Sequence, residues 1–416
     1  MLQININGTL AAIYRAMCSL DASAGFAPDY AHSIRVATMC MAVGKSLNFP
    51  EKRLQSLVAC ALLHDICSPP PYKVIGESVP SQECLQEHCR IGQSMLDLLP
   101  LPTPIDGFIL YHHELADGSG AFGMSAEQVP FEASLICLCG FLDMTVDFDK
   151  IGPTGLPTLR KTLQYGDFDR FNPHAIKALL KVLDGKLLHL LRSDLTYLFW
   201  EAFPPCNLHL NNNALYKLGA FVAHLVGAQS EYTREHSLQV ANIYWLLGRE
   251  RGYDKNLLAE LYLVGCMHDC GKLSLSGRLL DKKSRLDTVE MQIIETHAHL
   301  SQIVLRSIAG ASPLCEWASN HHERLDGSGY PNGLRARELD EPSQLLAVCD
   351  VYEATGASRP YHPRRSPRQI RSIIGKMSDA GKLNPEMVAQ ACGVLGHYRP
   401  GHVPAPSTIE QTTVLL

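Results

Sequence analysis

Two short runs in the second half of the chain carry the residues best suited to chemistry. They are His268-Asp269-Cys270-Gly271-Lys272 and His321-His322-Glu323-Arg324-Leu325-Asp326-Gly327-Ser328-Gly329-Tyr330-Pro331. Neighbours on an α-helix diverge by about 100°, so adjacent His-Asp and His-His pairs do not bury comfortably together. They make sense where both members of a pair reach a shared group. Imidazole and carboxylate suit borderline first-row metals, and a pair of ions is the expected group. His236, His297 and Asp350 join the runs to give seven candidate ligands. The expected arrangement bridges two ions with Asp269, placing His236, His268 and Asp350 on one side and His297, His321 and His322 on the other. Ions about 3.5–4 Å apart suit in-line displacement at phosphorus, with a shared water delivered as hydroxide. Lys272, one helical turn after His268, is placed to offset charge developing on a phosphoryl group.

The elements that must position these groups are amphipathic helices. His236 heads a stripe with Val240, Ile243 and Leu247, and Leu257, Leu261, Val264 and His268 repeat that spacing. Ile293, His297, Leu300 and Val304 form a third stripe, and Leu314, Trp317 and His321 a fourth. Each imidazole therefore sits at a core position of a 3.6-residue period. A single buried His is ordinarily a hydrogen-bonded core residue; several on separate helices, with two carboxylates, point to one common partner. The loop Asp326-Gly327-Ser328-Gly329-Tyr330-Pro331 follows the His pair directly. Its glycines permit close approach to a ligand, and Tyr330 offers a ring for a base or a hydroxyl for a phosphate. Arg359, in Arg359-Pro360-Tyr361, adds a guanidinium suited to bidentate phosphate contact.

The rest of the chain repeats the pattern. His32-Ser33-x-x-Val36-Ala37 returns as His236-Ser237-x-x-Val240-Ala241, an offset of 236 − 32 = 204, and His64-Asp65 returns as His268-Asp269 at 268 − 64 = 204. His112-His113-Glu114-x-x-Asp117-Gly118-Ser119-Gly120 returns as His321-His322-Glu323-x-x-Asp326-Gly327-Ser328-Gly329 at 321 − 112 = 209. His88 pairs with His297 and Asp143 with Asp350, while Asn172-Pro173 and Asn384-Pro385 are matching helix starts. Blocks kept in order at nearly constant offset identify a tandem duplication. The first copy retains His32, His64, Asp65, His88, His112, His113 and Asp143 as a candidate second metal site. It replaces Lys272 with Ser68 and Tyr330-Pro331 with Ala121-Phe122, so a structural or regulatory role is expected of it.

Composition fits a soluble two-domain protein of 416 residues: 46% hydrophobic, 19% charged, with a formal charge of −5. That balance argues against DNA and anionic membranes as partners. The 14 cysteines lack any C-x-x-C pair, and the N-terminus lacks a basic region followed by an apolar run. Reduced thiols in a cytoplasmic protein are expected. No apolar segment reaches the roughly 18 residues that span a bilayer. No alternating β-branched run demands a sheet, and Pro204-Pro205 marks the boundary between an expected first domain, 1–204, and second, 205–416.

His268-Asp269-x-Gly271-Lys272 with His321-His322-Glu323-x-x-Asp326-Gly327-x-Gly329-Tyr330-Pro331 resembles the signature of the HD-GYP phosphodiesterases, a subgroup of the HD superfamily of metal-dependent phosphohydrolases. Asp350-Val351-Tyr352-x-Ala354-Thr355 and Arg359-Pro360-Tyr361 resemble the next segment of that family. The likeness runs from about Thr233 to Pro385. It implies an all-α fold of two tandem HD helical bundles, a catalytic HD-GYP second copy and a degenerate HD first copy. It also implies hydrolysis of a cyclic dinucleotide, cyclic di-GMP or 3'3'-cGAMP, to a linear 5'-phosphorylated product. Under the resemblance the seven residues ligate metal, Asp269 and Lys272 are catalytic, and Lys272, Tyr330, Arg359 and Asp326 contact substrate. Family members with a third ion carry a Glu where this chain has Tyr232. Two ions are therefore expected, iron or manganese, with nickel, cobalt and magnesium as alternatives. His362 stands where the family commonly has Lys or Arg. A dinucleotide-sensing module and a nucleotide phosphohydrolase are the competing readings, and a homodimer is left open.

Overall fold

The structure is a computed structural model. It describes residues 1–23, 30–66, 81–152, 154–166, 168–192, 194, 197–227, 231–280, 282, 284–357, 364–398 and 402–406, without the side chains of 16–23, 30, 231, 232, 277 and 278. Ser68, Arg359, Tyr361 and His362 lie outside these residues, as does the side chain of Tyr232. The chain divides into two compact units. The first comprises Gly25–Asp97 and Leu101–Cys206; the second comprises Met1–Ala24, Leu98–Pro100 and Asn207–Leu415.

In chain order, β1 (Leu2–Asn5) and α1 (Ile6–Ser23) belong to the second unit. The first unit is built from α2 (Tyr30–Ser46), α3 (Glu51–Leu62), α4 (Gln82–Leu96), α5 (Phe131–Thr145), α6 (Leu156–Tyr165), α7 (Pro173–Val182), α8 (Gly185–Leu190) and α9 (Leu198–Ala202). The second unit continues with β2 (Asn207–Leu210), α10 (Asn212–Gly227), α11 (Glu231–Glu250), α12 (Lys255–Met267), α13 (Gly277–Leu280) and α14 (Thr288–Ala309). It closes with α15 (Leu314–Ser319), α16 (Glu341–Gly356), α17 (Pro367–Asp379) and α18 (Pro385–Leu395). The fold is all-α; among the described residues the one sheet is an antiparallel ribbon in which Leu2 pairs with Leu210 and Asn5 with Asn207.

The N-terminus departs from the expected domain limits, because residues 1–24 join the second unit. Ile4 is fully buried in the ribbon, and α1 packs against α14. Strands of four residues are too short to show a period, so neither was expected from sequence.

Local chemistry sets the helix ends that matter for the site. Asp254 caps α12 through Asn256 N and Leu257 N. Asp287 and Glu290 form a capping box on α14. Asn172 and Asn384 each cap a helix whose next residue is Pro, α7 and α18. On α11, α12 and α15 the stripe residues Val240, Ile243, Leu247, Leu261, Val264, Leu314 and Trp317 are core, whereas Leu257, at the head of the α12 stripe, is half-buried and its neighbour Leu258 takes the core position. On α14 the buried face differs. Ile293 is exposed, and His297, Ser301, Leu305 and Ile308 point inward instead. That face still recurs every three to four residues, rotated toward smaller side chains that allow close packing.

Candidate metal centre

The two pairs lie where helices stop. His268 occupies the C-terminal cap of α12, and Asp269 leads into a 3₁₀ turn, Cys270–Ser274. His321 and His322 lie in the 3₁₀ turn Asn320–His322 that follows α15. Leaving the α-helix changes the rotation between neighbours, and the rings of His321 and His322 come to 4.0 Å between centroids. Gly271 lets this turn press onto α14, since a Cβ there would lie 2.1 Å from His297 O. Its N–H donates to Ser301 Oγ at 2.8 Å, tying the turn to the helix that carries His297.

The imidazoles are held in one tautomer by backbone. Nδ1 of His268, His297 and His321 faces the carbonyl of Gly265, Ile294 and Ala318, at 2.7, 2.6 and 2.6 Å. A carbonyl only accepts, so each Nδ1 carries the proton and each neutral ring turns an Nε2 lone pair inward. Nε2 of His297 and of His321 then face each other at 3.3 Å. Two lone pairs at that distance repel unless a cation lies between them, and the separation suits two ligands of one ion at bonds of about 2.1 Å.

Asp269 sits at the middle of the cluster. Its carboxylate lies 3.6 Å from His236 Nε2, 3.4 Å from His268 Nε2, 3.2 Å from His297 Nε2 and 3.8 Å from His321 Nε2. His268 Nε2 and Asp269 Oδ1 are buried without a hydrogen bond of acceptable geometry. Buried polar atoms without partners are costly, and a divalent ion satisfies both. Asp350 faces His236 Nε2 at 3.3 Å and His322 Nδ1 at 3.5 Å. The donor set fits metal: three groups of ligand atoms, each within 4.8 Å, are His236/His268/Asp350, His268/Asp269/His321 and His297/His321/His322. All seven expected ligands are brought together.

Charge follows the same geometry. Burial would push Asp269 up, but Lys272 and His268 beside it hold the carboxyl well below its ordinary range. Lys272 Nζ donates to Asp269 Oδ2 at 2.6 Å. Burial, with His297 nearby, lowers His322 to about 3 although Asp350 opposes it, so the ring stays neutral. His236 behaves differently: burial opposes its charge, yet Glu353 and Asp350 raise it to about 10. Glu353 accepts from His236 Nδ1. Glu353 is not among the ligands expected from sequence; its place three residues after Asp350, on the same face of α16, was the available signal. A carboxylate behind a metal-facing His fixes the ring and raises its basicity. Glu353→Gln is expected to weaken metal binding in the second unit about 10- to 100-fold, read by manganese titration. Unchanged affinity would leave Glu353 as a simple ion-pair partner.

The loop after the His pair is organised by Glu323, whose carboxylate accepts from Asn332 N at 2.7 Å and Leu334 N at 2.9 Å. Gly329 lies against the chain itself, with a Cβ there only 2.5 Å from His322 O, so its close approach serves the loop. Asp326 is exposed and accepts from Ser328 N at 3.0 Å, shaping the turn. Tyr330 is carried over the site, 4.7 Å from the His322 ring.

The first unit repeats this construction. Nδ1 of His64 and of His112 meets the carbonyl of Ala61 and Ile109, and His88 and His112 face each other through Nε2 at 3.4 Å. The tilted rings of His112 and His113 lie 4.1 Å apart between centroids, and Glu114 accepts from Phe122 N and Met124 N, as Glu323 accepts backbone N–H groups in its own loop. His32, His64, Asp65, His88, His112 and His113 form metal-competent groups. Asp143, expected as a seventh ligand, has both oxygens engaged by Arg35 and His32 Nδ1, which removes it from that set.

Two HD-domain family models match the chain, one over residues 29–144 and one over residues 221–387. The chain belongs to the HD family. This tandem HD protein is 28% identical over 409 residues to 3'3'-cGAMP-specific phosphodiesterase 1 of Vibrio cholerae, covering 92% of the chain and 90% of that protein. It is 34% identical over 180 residues to a cyclic di-GMP phosphodiesterase of Thermotoga maritima, and spans 47% of that relative. A crystal structure of a cyclic GMP-AMP-specific phosphodiesterase from V. cholerae superposes with a TM-score of 0.57 at 19% identity, over 95% of this chain and 99% of that one, and shows the shared fold. HD domains are metal-dependent, in keeping with the paired clusters of this HD protein. Among the described residues no helix is long and apolar enough to cross a membrane.

Proposed function

We propose that the second unit is an HD-GYP phosphodiesterase that opens a cyclic dinucleotide, 3'3'-cGAMP or cyclic di-GMP, to the linear 5'-phosphorylated dinucleotide. The observation that carries this is the convergence of five imidazoles with the carboxylates of Asp269 and Asp350 in one cluster. The similarity along nearly the whole chain to a 3'3'-cGAMP-specific enzyme supports the same substrate class and favours the mixed dinucleotide.

Two divalent ions, iron or manganese, lower the pKa of water and screen phosphate oxygens when bound. The seven ligands of the second unit hold them. In the reaction water adds to phosphorus, the P–O3' bond breaks and the 3' oxygen leaves with a proton. Lys272, beside Asp269, turns its ammonium to the phosphoryl oxygens as charge builds there. Tyr330, ordered against His322, offers its ring to a base. Arg359 grips a second phosphate, and Asp326 keeps the loop in shape for substrate. Such an enzyme works in the cytoplasm, where its thiols stay reduced; the twelve described cysteines are all free.

The test is anaerobic loading with iron or manganese, then product chromatography with 3'3'-cGAMP, cyclic di-GMP and nucleoside monophosphates side by side. Linear 5'-phosphorylated dinucleotide is the expected product. Tight binding without turnover would make the protein a sensor, and turnover confined to mononucleotides would make it a nucleotide phosphohydrolase.

A further inference from the structure

The two units repeat one cluster but wire one carboxylate differently. In the second unit Asp350 faces the cluster, and Glu353 backs His236 from behind. Three residues after Asp143 the first unit has Val146, which carries no carboxylate. Asp143 does the backing there, its Oδ2 accepting from His32 Nδ1 at 2.7 Å. Arg35 engages it as well, through Nε to Oδ1 at 2.5 Å and Nη2 to Oδ2 at 2.9 Å. The counterpart of Arg35 is Gln239 (35 + 204 = 239), which is turned away and accepts from Val403 N at 2.9 Å.

Recruiting Asp143 to a metal would break the buried bidentate pair that Arg35 makes with both of its oxygens. The remaining donors are unequal. Among the described residues Asp65, His88, His112 and His113 form a four-donor group, whereas His32 and His64 group with Asp65 as three donors. A cavity of about 670 Å³ opens onto His64, His112 and His113 and provides an entry path.

We infer that the first unit holds a single divalent metal ion, on Asp65, His88, His112 and His113, and that the Arg35–Asp143 ion pair stands in place of a second. Three imidazoles and one carboxylate select a first-row ion over magnesium or calcium. Asp143 is then a positioning residue for His32, and the unit lacks the paired ions that diester displacement uses. The dinuclear reading of the second unit is independent of this one.

Anomalous diffraction from crystals of the full chain loaded with manganese reads each unit separately. One peak among Asp65, His88, His112 and His113 is expected in the first unit; two peaks or none there overturn the inference. Fewer than two in the second unit would instead sink the proposed dinuclear enzyme. Arg35→Gln, which installs the residue of the second copy, is expected to bring a second peak to the first unit, and its failure to do so in folded protein would discard the role given to the ion pair. Should that variant not fold, Asp143→Asn is the further reading: the single peak persists if Asp143 is no ligand, and its loss overturns the assignment.

Discussion

Asp269→Ala is expected to empty the second unit of metal and to lower cyclic-dinucleotide hydrolysis by more than about 10³-fold. One carboxylate lies within 4 Å of Nε2 on four imidazoles and of Lys272 Nζ, so no other side chain touches as many members of the cluster. Without it, Asp350 alone among the described carboxylates joins the two halves of the ligand set, facing His236 and His322. The fold is expected to survive, because Lys272 is partly exposed and can turn to water, and the alanine removes rather than strands a buried charge. Asp269→Asn keeps the shape and removes the charge, which separates ligation from packing. The measurement is metal content per chain beside turnover, with the thermal midpoint as the check on folding. Normal metal content and normal turnover in the alanine variant would end the proposal of a dinuclear centre.

Much of this site was legible because it is written locally. Adjacent His-Asp and His-His conflict with one helix face, and the chain resolves the conflict by ending α12 at His268 and using a 3₁₀ turn at His321-His322. The duplication was legible from offsets alone, and the structure repeats it down to ring separations of 4.1 and 4.0 Å in the tilted His-His pairs. Contacts between distant segments were not legible. Nothing in Leu2-Gln3-Ile4-Asn5 says that it pairs with residues 207–210, because the pairing is chosen by the partner and by the burial of Ile4. Nor does the sequence around Arg35 say that it meets Asp143, 108 residues away.

The same limit explains the loop and the third stripe. Asp326-Gly327-Ser328-Gly329 carries strong turn chemistry, and the turn is there, closed by Asp326 on Ser328 N. Its purpose could not be read from composition, since Gly329 makes room for the backbone of His322, Glu323 and Arg324, and Glu323 pins the loop from beneath. On α14 apolar periodicity pointed to Ile293 and Val304, whereas the face that meets Gly271 needs the small Ser301 one turn from His297. Hydrophobicity reports which residues prefer burial; close backbone approach decides which ones fit.

Lys272→Met is expected to leave metal content unchanged and to lower turnover about 10²- to 10³-fold, the cost of removing one preorganised charge from a developing oxyanion. The ammonium is held 2.6 Å from Asp269 Oδ2 at the edge of the cluster, partly exposed, so a phosphate that reaches the site meets it without further burial of charge. Metal loading reduces the claim of Asp269 on that ammonium, because the carboxylate then has cations on its inner side. The first copy supplies an internal contrast, with Ser68 at this position and a comparable ring geometry around its cluster. Methionine retains most of the side-chain volume, so a loss of rate with intact metal assigns the effect to charge. Lys272→Arg should recover part of the rate by restoring the cation with a different reach. If Lys272→Met turned over within a few-fold of the native chain, the lysine would be an electrostatic brace for the empty carboxylate, and the phosphoryl-binding role would pass to other cations of the second unit.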